Sequence, residues 1–156
     1  MGELRQKQPI VKRRRKLTRA QRTYERECQE AFYRDTLRLD GGKCIGATIP
    51  FTDHRCTGSL RAHHAVKQQW LRTYVRTLEP DVNGGWTEDR ISEFLWDPAN
   101  GVTVCDGLHD AHHDGTDFKV PAWWLPGRVI DFAEAYRIKH ILHREHPSHT
   151  DGGFSG

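Results

Sequence analysis

The sequence predicts an α+β domain, with a small pair of strands set among segments that are mostly helical. Three observations predict it. Val102-Thr103-Val104 is β-branched throughout, which suits a short strand, and Ser59 to Val66 reads as a second one. Elsewhere apolar residues recur at helical spacing, with capping residues where helices would begin. A chain of 156 residues with 36% hydrophobic content fits one domain with a modest core, flanked by polar segments.

Taken in order, residues 1–17 read as a flexible basic arm. Positions 1–22 hold nine Lys and Arg against one acid, Glu3. Such a block is expected either to stay solvated or to lie along nucleic acid, with Arg13, Arg14 and Arg15 as its contacts. Residues 18–146 form the expected domain. Thr18 is placed to cap a helix from about Arg19 to Leu39, anchored by Phe32 and Leu37, with Cys28 as a partly buried thiol. Asp40-Gly41-Gly42 ends it. Pro50, Asp53 and Gly58 mark an irregular loop, after which the first strand delivers His63 and His64.

Lys67 to Thr77 follows as a basic amphipathic helix with Trp70, Leu71, Tyr74 and Val75 on one side. Pro80 to Gly85 breaks it, and Thr87 can cap a short helix presenting Ile91, Phe94, Leu95 and Trp96. Asp97 to Asn100 turns into the second strand. Asp106-Gly107 then offers a turn and a helix start, and His109 and His113 lie four residues apart on one helical face, with His112 competing for the same face. Phe118 to Trp124 is expected to pack behind this region. Arg128 to His143 reads as a final helix, buried through Val129, Phe132, Ala133, Tyr136 and Ile141. The tail 147–156 is Gly- and Ser-rich and expected to be disordered; His140, His143, His146 and His149 read as surface groups.

Several function classes are set aside. No run approaches the ~18 apolar residues of a membrane span. The basic N-terminus leads into no apolar stretch, which argues against a secretory signal. Four cysteines at irregular spacing do not suggest a secreted disulfide framework, so a cytoplasmic setting is expected.

The remaining chemistry lies in imidazoles. A histidine pair, then Asn100, then His109 and His113 could hold a divalent ion and activate a water. His63-His64 with Asn-x8-His-x3-His resembles the HNH endonuclease signature, in the spacing found in colicin-type nucleases, and the context is similar to small phage-encoded HNH proteins. The resemblance covers residues 40–115. It implies a ββα-metal (His-Me finger) core with flanking helices and a metal-dependent hydrolysis of DNA. His64 would be the general base, and His63, His109 and His113 would ligate one divalent ion (Mg, Mn, Ni or Zn). Asn100 would tie the strands and orient His64. DNA is the implied partner, with phage terminase proteins as a further one.

Two departures qualify the resemblance. The 35 residues between His64 and Asn100 form an inserted helical segment, 67–96, whose Lys67 and Arg72 could contact DNA. Neighbouring strand residues also point to opposite faces, so His63 and His64 share a site only where the strand ends or bends. Many HNH proteins carry a structural zinc on two Cys-x2-Cys pairs. Here Cys44, Cys56 and Cys105 supply three ligands, and the fourth falls to His54 or another side chain; free thiols or a Cys44–Cys56 pair are the alternatives. A non-catalytic nucleic-acid-binding module and a toxin-type nuclease stand as alternative functions.

Overall fold

The computed structural model describes residues 16–49, 53–75, 86–113 and 120–146, with only the backbone of His112 and His113. The expected arm through Arg15, including Arg13 and Arg14, lies outside these residues. So do the ends of the segments predicted at 67–77 and 118–124, and the tail with His149.

Helix α1 (Arg19–Leu39) begins in a capping box. Thr18 Oγ1 accepts from the Gln21 N–H, and Gln21 Oε1 accepts from the Thr18 N–H, satisfying two donors that a helix start leaves open. It stops where Gly41 and Gly42 turn left-handed, at φ 63° and 66°. Asp40, just past its end, accepts from the Thr103 N–H at 2.7 Å and from Arg128 at 2.7 Å; Arg128 also donates to the Gly101 carbonyl. One carboxylate thus latches the end of α1 to the second strand.

A short helix, α2 (Ile45–Thr48), leads through the 53–59 loop to β1 (Leu60–His64). Two helices follow, α3 (Gln68–Val75) and α4 (Glu88–Leu95), the second capped by Thr87 Oγ1. A 3-10 turn at Pro98–Asn100 opens β2 (Gly101–Cys105), and α5 (Asp106–His113) starts directly after it. The two strands pair antiparallel, Leu60 opposite Cys105 and His64 opposite Gly101, and form the whole sheet among the described residues. The protein is therefore α+β, mostly helical, with one small antiparallel sheet.

All five residues of β2 are buried. Val102 and Val104 join Leu71, Leu95, Val129, Phe132 and Leu142 in one core. Helix α1 covers the sheet with Phe32 and Thr36, whereas Leu37 is only half-buried.

The segment 128–143 is not one helix but two, α6 (Gly127–Ala135) and α7 (Lys139–Glu145), separated at Arg137 with φ 57°. The phase of the apolar residues explains the break. Val129, Phe132, Ala133 and Tyr136 form one stripe, and its continuation would aim Lys139 and His140 inward. Breaking at Arg137 instead turns Ile138, Ile141 and Leu142 into the core. Tyr74 donates its hydroxyl to the Tyr136 carbonyl that the break leaves open. Among the described residues no helix is long and apolar enough to cross a membrane.

Candidate metal centre

Four side chains from three segments converge beside the end of β2. Cys44 precedes α2 and is buried, Cys105 ends β2 and is buried, and His54 and Cys56 come from the loop 53–59. His54 Nε2 lies 3.6 Å from Cys44 Sγ, 3.4 Å from Cys56 Sγ and 3.4 Å from Cys105 Sγ, and all four atoms lie within 4.8 Å of one another. A single imidazole nitrogen carries one proton or one lone pair, so hydrogen bonding does not account for three sulfurs around it.

A tetrahedral ion does. With zinc–sulfur bonds of about 2.3 Å and zinc–nitrogen bonds of about 2.0–2.1 Å, nitrogen and sulfur should stand about 3.5–3.6 Å apart. The Cys3His set fits a metal ion, zinc by its donors. Gly46 makes room for it, since a Cβ there would come within 2.5 Å of the His54 ring.

The backbone favours thiolate at this centre. Cys44 Sγ accepts from the Cys105 N–H at 3.3 Å, and Cys105 Sγ from the Leu108 N–H at 3.4 Å. Burial acts to raise the Cys105 thiol, but amide donors at Leu108 and Thr57 and the neighbouring cysteines outweigh it and lower its pKa. Cys56 is pushed the other way, by desolvation and by Cys44. A divalent cation at the centre would favour thiolate at all three.

No protein-family model matches the chain, and no curated protein or solved structure matches it.

The second constellation lies on the hairpin. His63, nearly buried on β1, meets His109 of α5 edge to face with ring centroids 5.3 Å apart and planes at 88°. Two imidazoles on one tetrahedral ion would place their centroids about 5 Å apart, given nitrogen–metal bonds of about 2.0–2.1 Å. His113 lies one turn further along α5, where its side chain, like that of His112, falls outside the described residues. His109 Nδ1 is 3.4 Å from Asp110.

His64 is not brought into this pair. It remains in regular pairing with Gly101, so the pleat sends its ring to the other face of β1, where it stacks on Phe32 at 4.2 Å and abuts Trp96. Nε2 is 2.9 Å from the Leu95 carbonyl and must donate there, which leaves the lone pair on Nδ1. Burial drives its pKa down to about 4, with Arg72 adding to the effect against the carbonyl, so the ring is neutral near pH 7.

Asn100 is fully buried and makes two side-chain hydrogen bonds to one residue. Its Oδ1 accepts from the Val66 N–H at 2.8 Å and its Nδ2 donates to the Val66 carbonyl at 2.9 Å, while its own carbonyl accepts from Ala65 N–H. It fastens the chain just past His63-His64 to the start of β2. His146, expected on the surface, is instead buried against the same stretch. Its Nε2 lies 2.7 Å from the Ala65 carbonyl and its Nδ1 3.2 Å from that of Val120, and burial lowers its pKa. Lys67 and Arg72 are both exposed, at the start of α3 and within it.

Proposed function

We propose that the chain is a metal-dependent endonuclease of the HNH kind, hydrolysing phosphodiester bonds in DNA. The observation that carries this reading is the meeting of His63 on β1 with His109 on α5, the helix that starts directly after the paired strand β2, with ring centroids 5.3 Å apart. His63 and His109 act as imidazole ligands, with His113 joining from the next turn of α5. A divalent ion held there, Mg, Mn, Ni or Zn, would neutralise phosphate charge and assist the leaving oxygen.

His64 is the general base of this reading: with Nε2–H on the Leu95 carbonyl its Nδ1 keeps a lone pair, and serving the ion requires the ring to leave Phe32 and turn to the His63 face. Asn100 holds the backbone beside it. A zinc at the Cys3His centre is structural: Cys105 directly precedes α5, so the centre fixes the start of the helix that carries His109. Lys67, Arg72 and the basic residues Arg13, Arg14 and Arg15 steer the DNA backbone. Action beside phage terminase proteins belongs to the same proposal.

One observation favours a second reading, a nucleic-acid-binding module without hydrolysis. The His64 ring faces Phe32 and Trp96 rather than His109, and a conjugate acid of pKa about 4 makes a weak base.

The deciding experiment is cleavage of supercoiled plasmid with Mg²⁺, Mn²⁺ or Ni²⁺, for the wild type, His64→Ala and His109→Ala, with DNA binding followed by gel shift. The nuclease reading expects metal-dependent cutting, lost in both variants while binding persists. Binding without cutting by any of the three would overturn it in favour of the module.

A further inference from the structure

An open groove of about 590 Å³ runs between α1 and β1 and ends at His109. Tyr33, Arg34 and Leu37 line it from one successive face of α1, and Leu60 and Arg61 from β1. Its volume falls within the range of about 300–1,000 Å³ typical of ligand sites.

Its lining combines two chemistries that duplex DNA does not use together. Tyr33 is 43% exposed and Leu60 37% exposed, an aromatic face and an aliphatic floor open to solvent. Beside them stand two guanidiniums. Arg61 sets its Nε on Asp106, and Arg34 sets Nε and one terminal nitrogen on Asp35. A guanidinium has five N–H donors, so each retains donors for a phosphate. A duplex offers phosphates outward but keeps its bases stacked inside, where Tyr33 would gain nothing from them. An unpaired nucleotide offers both at once, a π-face for the tyrosine and phosphates for the arginines.

We infer that this groove seats a single-stranded stretch of nucleic acid, with a base stacked on Tyr33, flanking phosphates on Arg34 and Arg61, and the strand directed toward His63 and His109. The inference rests on the nucleic-acid reading above but not on hydrolysis. It makes the substrate an unpaired segment, such as a single-stranded end, gap or flap.

The test is fluorescence anisotropy of dye-labelled 15-nucleotide oligomers with zinc-replete full-length protein and no added Mg²⁺ or Mn²⁺. The probes are single-stranded DNA, single-stranded RNA of the same sequence, and the DNA duplex. The expected result is tighter binding of single strands than of duplex. Tyr33→Ala should weaken single-strand binding by roughly 5- to 150-fold, Tyr33→Phe should restore it, and Arg34→Glu should weaken it with a flatter salt dependence. Tyr33→Phe keeps the ring near Phe32 and Trp96 and so tests the ring apart from its hydroxyl, while a thermal melt of Tyr33→Ala separates lost stacking from lost folding.

The DNA and RNA arms identify which strand the groove takes. Equal affinity for single strand and duplex, or single-strand binding indifferent to Tyr33→Ala, would overturn the inference. Tyr33-dependent binding in a protein that cuts neither plasmid nor single-stranded DNA with any of the metals would retire the nuclease and keep the groove. Metal-dependent cutting with no such binding would do the reverse.

Discussion

Removing the metal from the Cys3His centre should loosen the fold by an amount that can be worked out. The centre joins the start of α2, the 53–59 loop and the end of β2. Zinc at about 1,000 times its dissociation constant stabilises the folded state by about 4 kcal/mol. At about 2–4 °C per kcal/mol for a chain of this size, chelation should lower Tm by about 8–16 °C.

His54→Ala leaves three sulfurs. A loss of about 100-fold in affinity would remove about 2.7 kcal/mol of that stabilisation, or about 5–11 °C, at the same zinc concentration. The assay is metal content by elemental analysis together with thermal unfolding, before and after chelation. Cobalt substitution provides a spectroscopic check, since thiolate ligation gives charge-transfer bands that His54→Ala should alter. His63→Ala serves as the control and should leave the zinc count unchanged. A zinc-replete preparation holding no zinc, or a Tm indifferent to both chelation and His54→Ala, would refute the assignment.

Three further outcomes are expected. Gly46→Ala should weaken zinc binding without removing a ligand, because the new Cβ meets the His54 ring; competition with a chromogenic chelator measures it, and wild-type affinity would count against the crowding argument. Asn100→Ala strips the partners from the buried N–H and carbonyl of Val66 and should destabilise by about 2–6 kcal/mol, read in urea melts; a loss under 1 kcal/mol would mean that water replaces the amide. Stability should also fall with acidification. His64 takes its proton near pH 6.5 when unfolded but only near 4 in the fold, so its contribution is full above about 6.5 and is lost on going down to about 4, about 3 kcal/mol in all. Melts at pH 7.5 and 4.5 should show a smaller acid loss for His64→Phe than for the wild type. His146 acts in the same direction and retains part of the slope; an identical loss in the variant would contradict the burial argument.

The parts of this molecule written in local sequence were legible. Thr18 and Gly41-Gly42 bound α1, Thr87 starts α4, and the β-branched run at 102–104 lies inside β2, because caps and branching act within a few residues. The three sulfurs were visible as candidates, but choosing His54 as their fourth partner depended on the path of an irregular loop and on the clearance at Gly46. The break at Arg137 was present as a change of phase in the apolar stripe, which a reading for a single helix averages away. His146 gave no local signal, since the carbonyls of Ala65 and Val120 that bury it come from distant segments. The opposed faces of His63 and His64 followed from the pleat, yet whether the strand stayed regular to His64 was a matter of pairing with Gly101.

The contact between His146 and the Ala65 carbonyl spans 81 residues and gives the fold an order in time. A ribosome adding about 5–20 residues per second needs about 4–16 s to pass from Ala65 to His146. Throughout that interval β1 is already outside or in the exit tunnel, and the peptide after His63-His64 has water where the imidazole will later sit. Asn100 emerges partway and can close the hairpin first. On the nascent chain the peptide after the histidine pair therefore waits for its last fastening until α7 has been made.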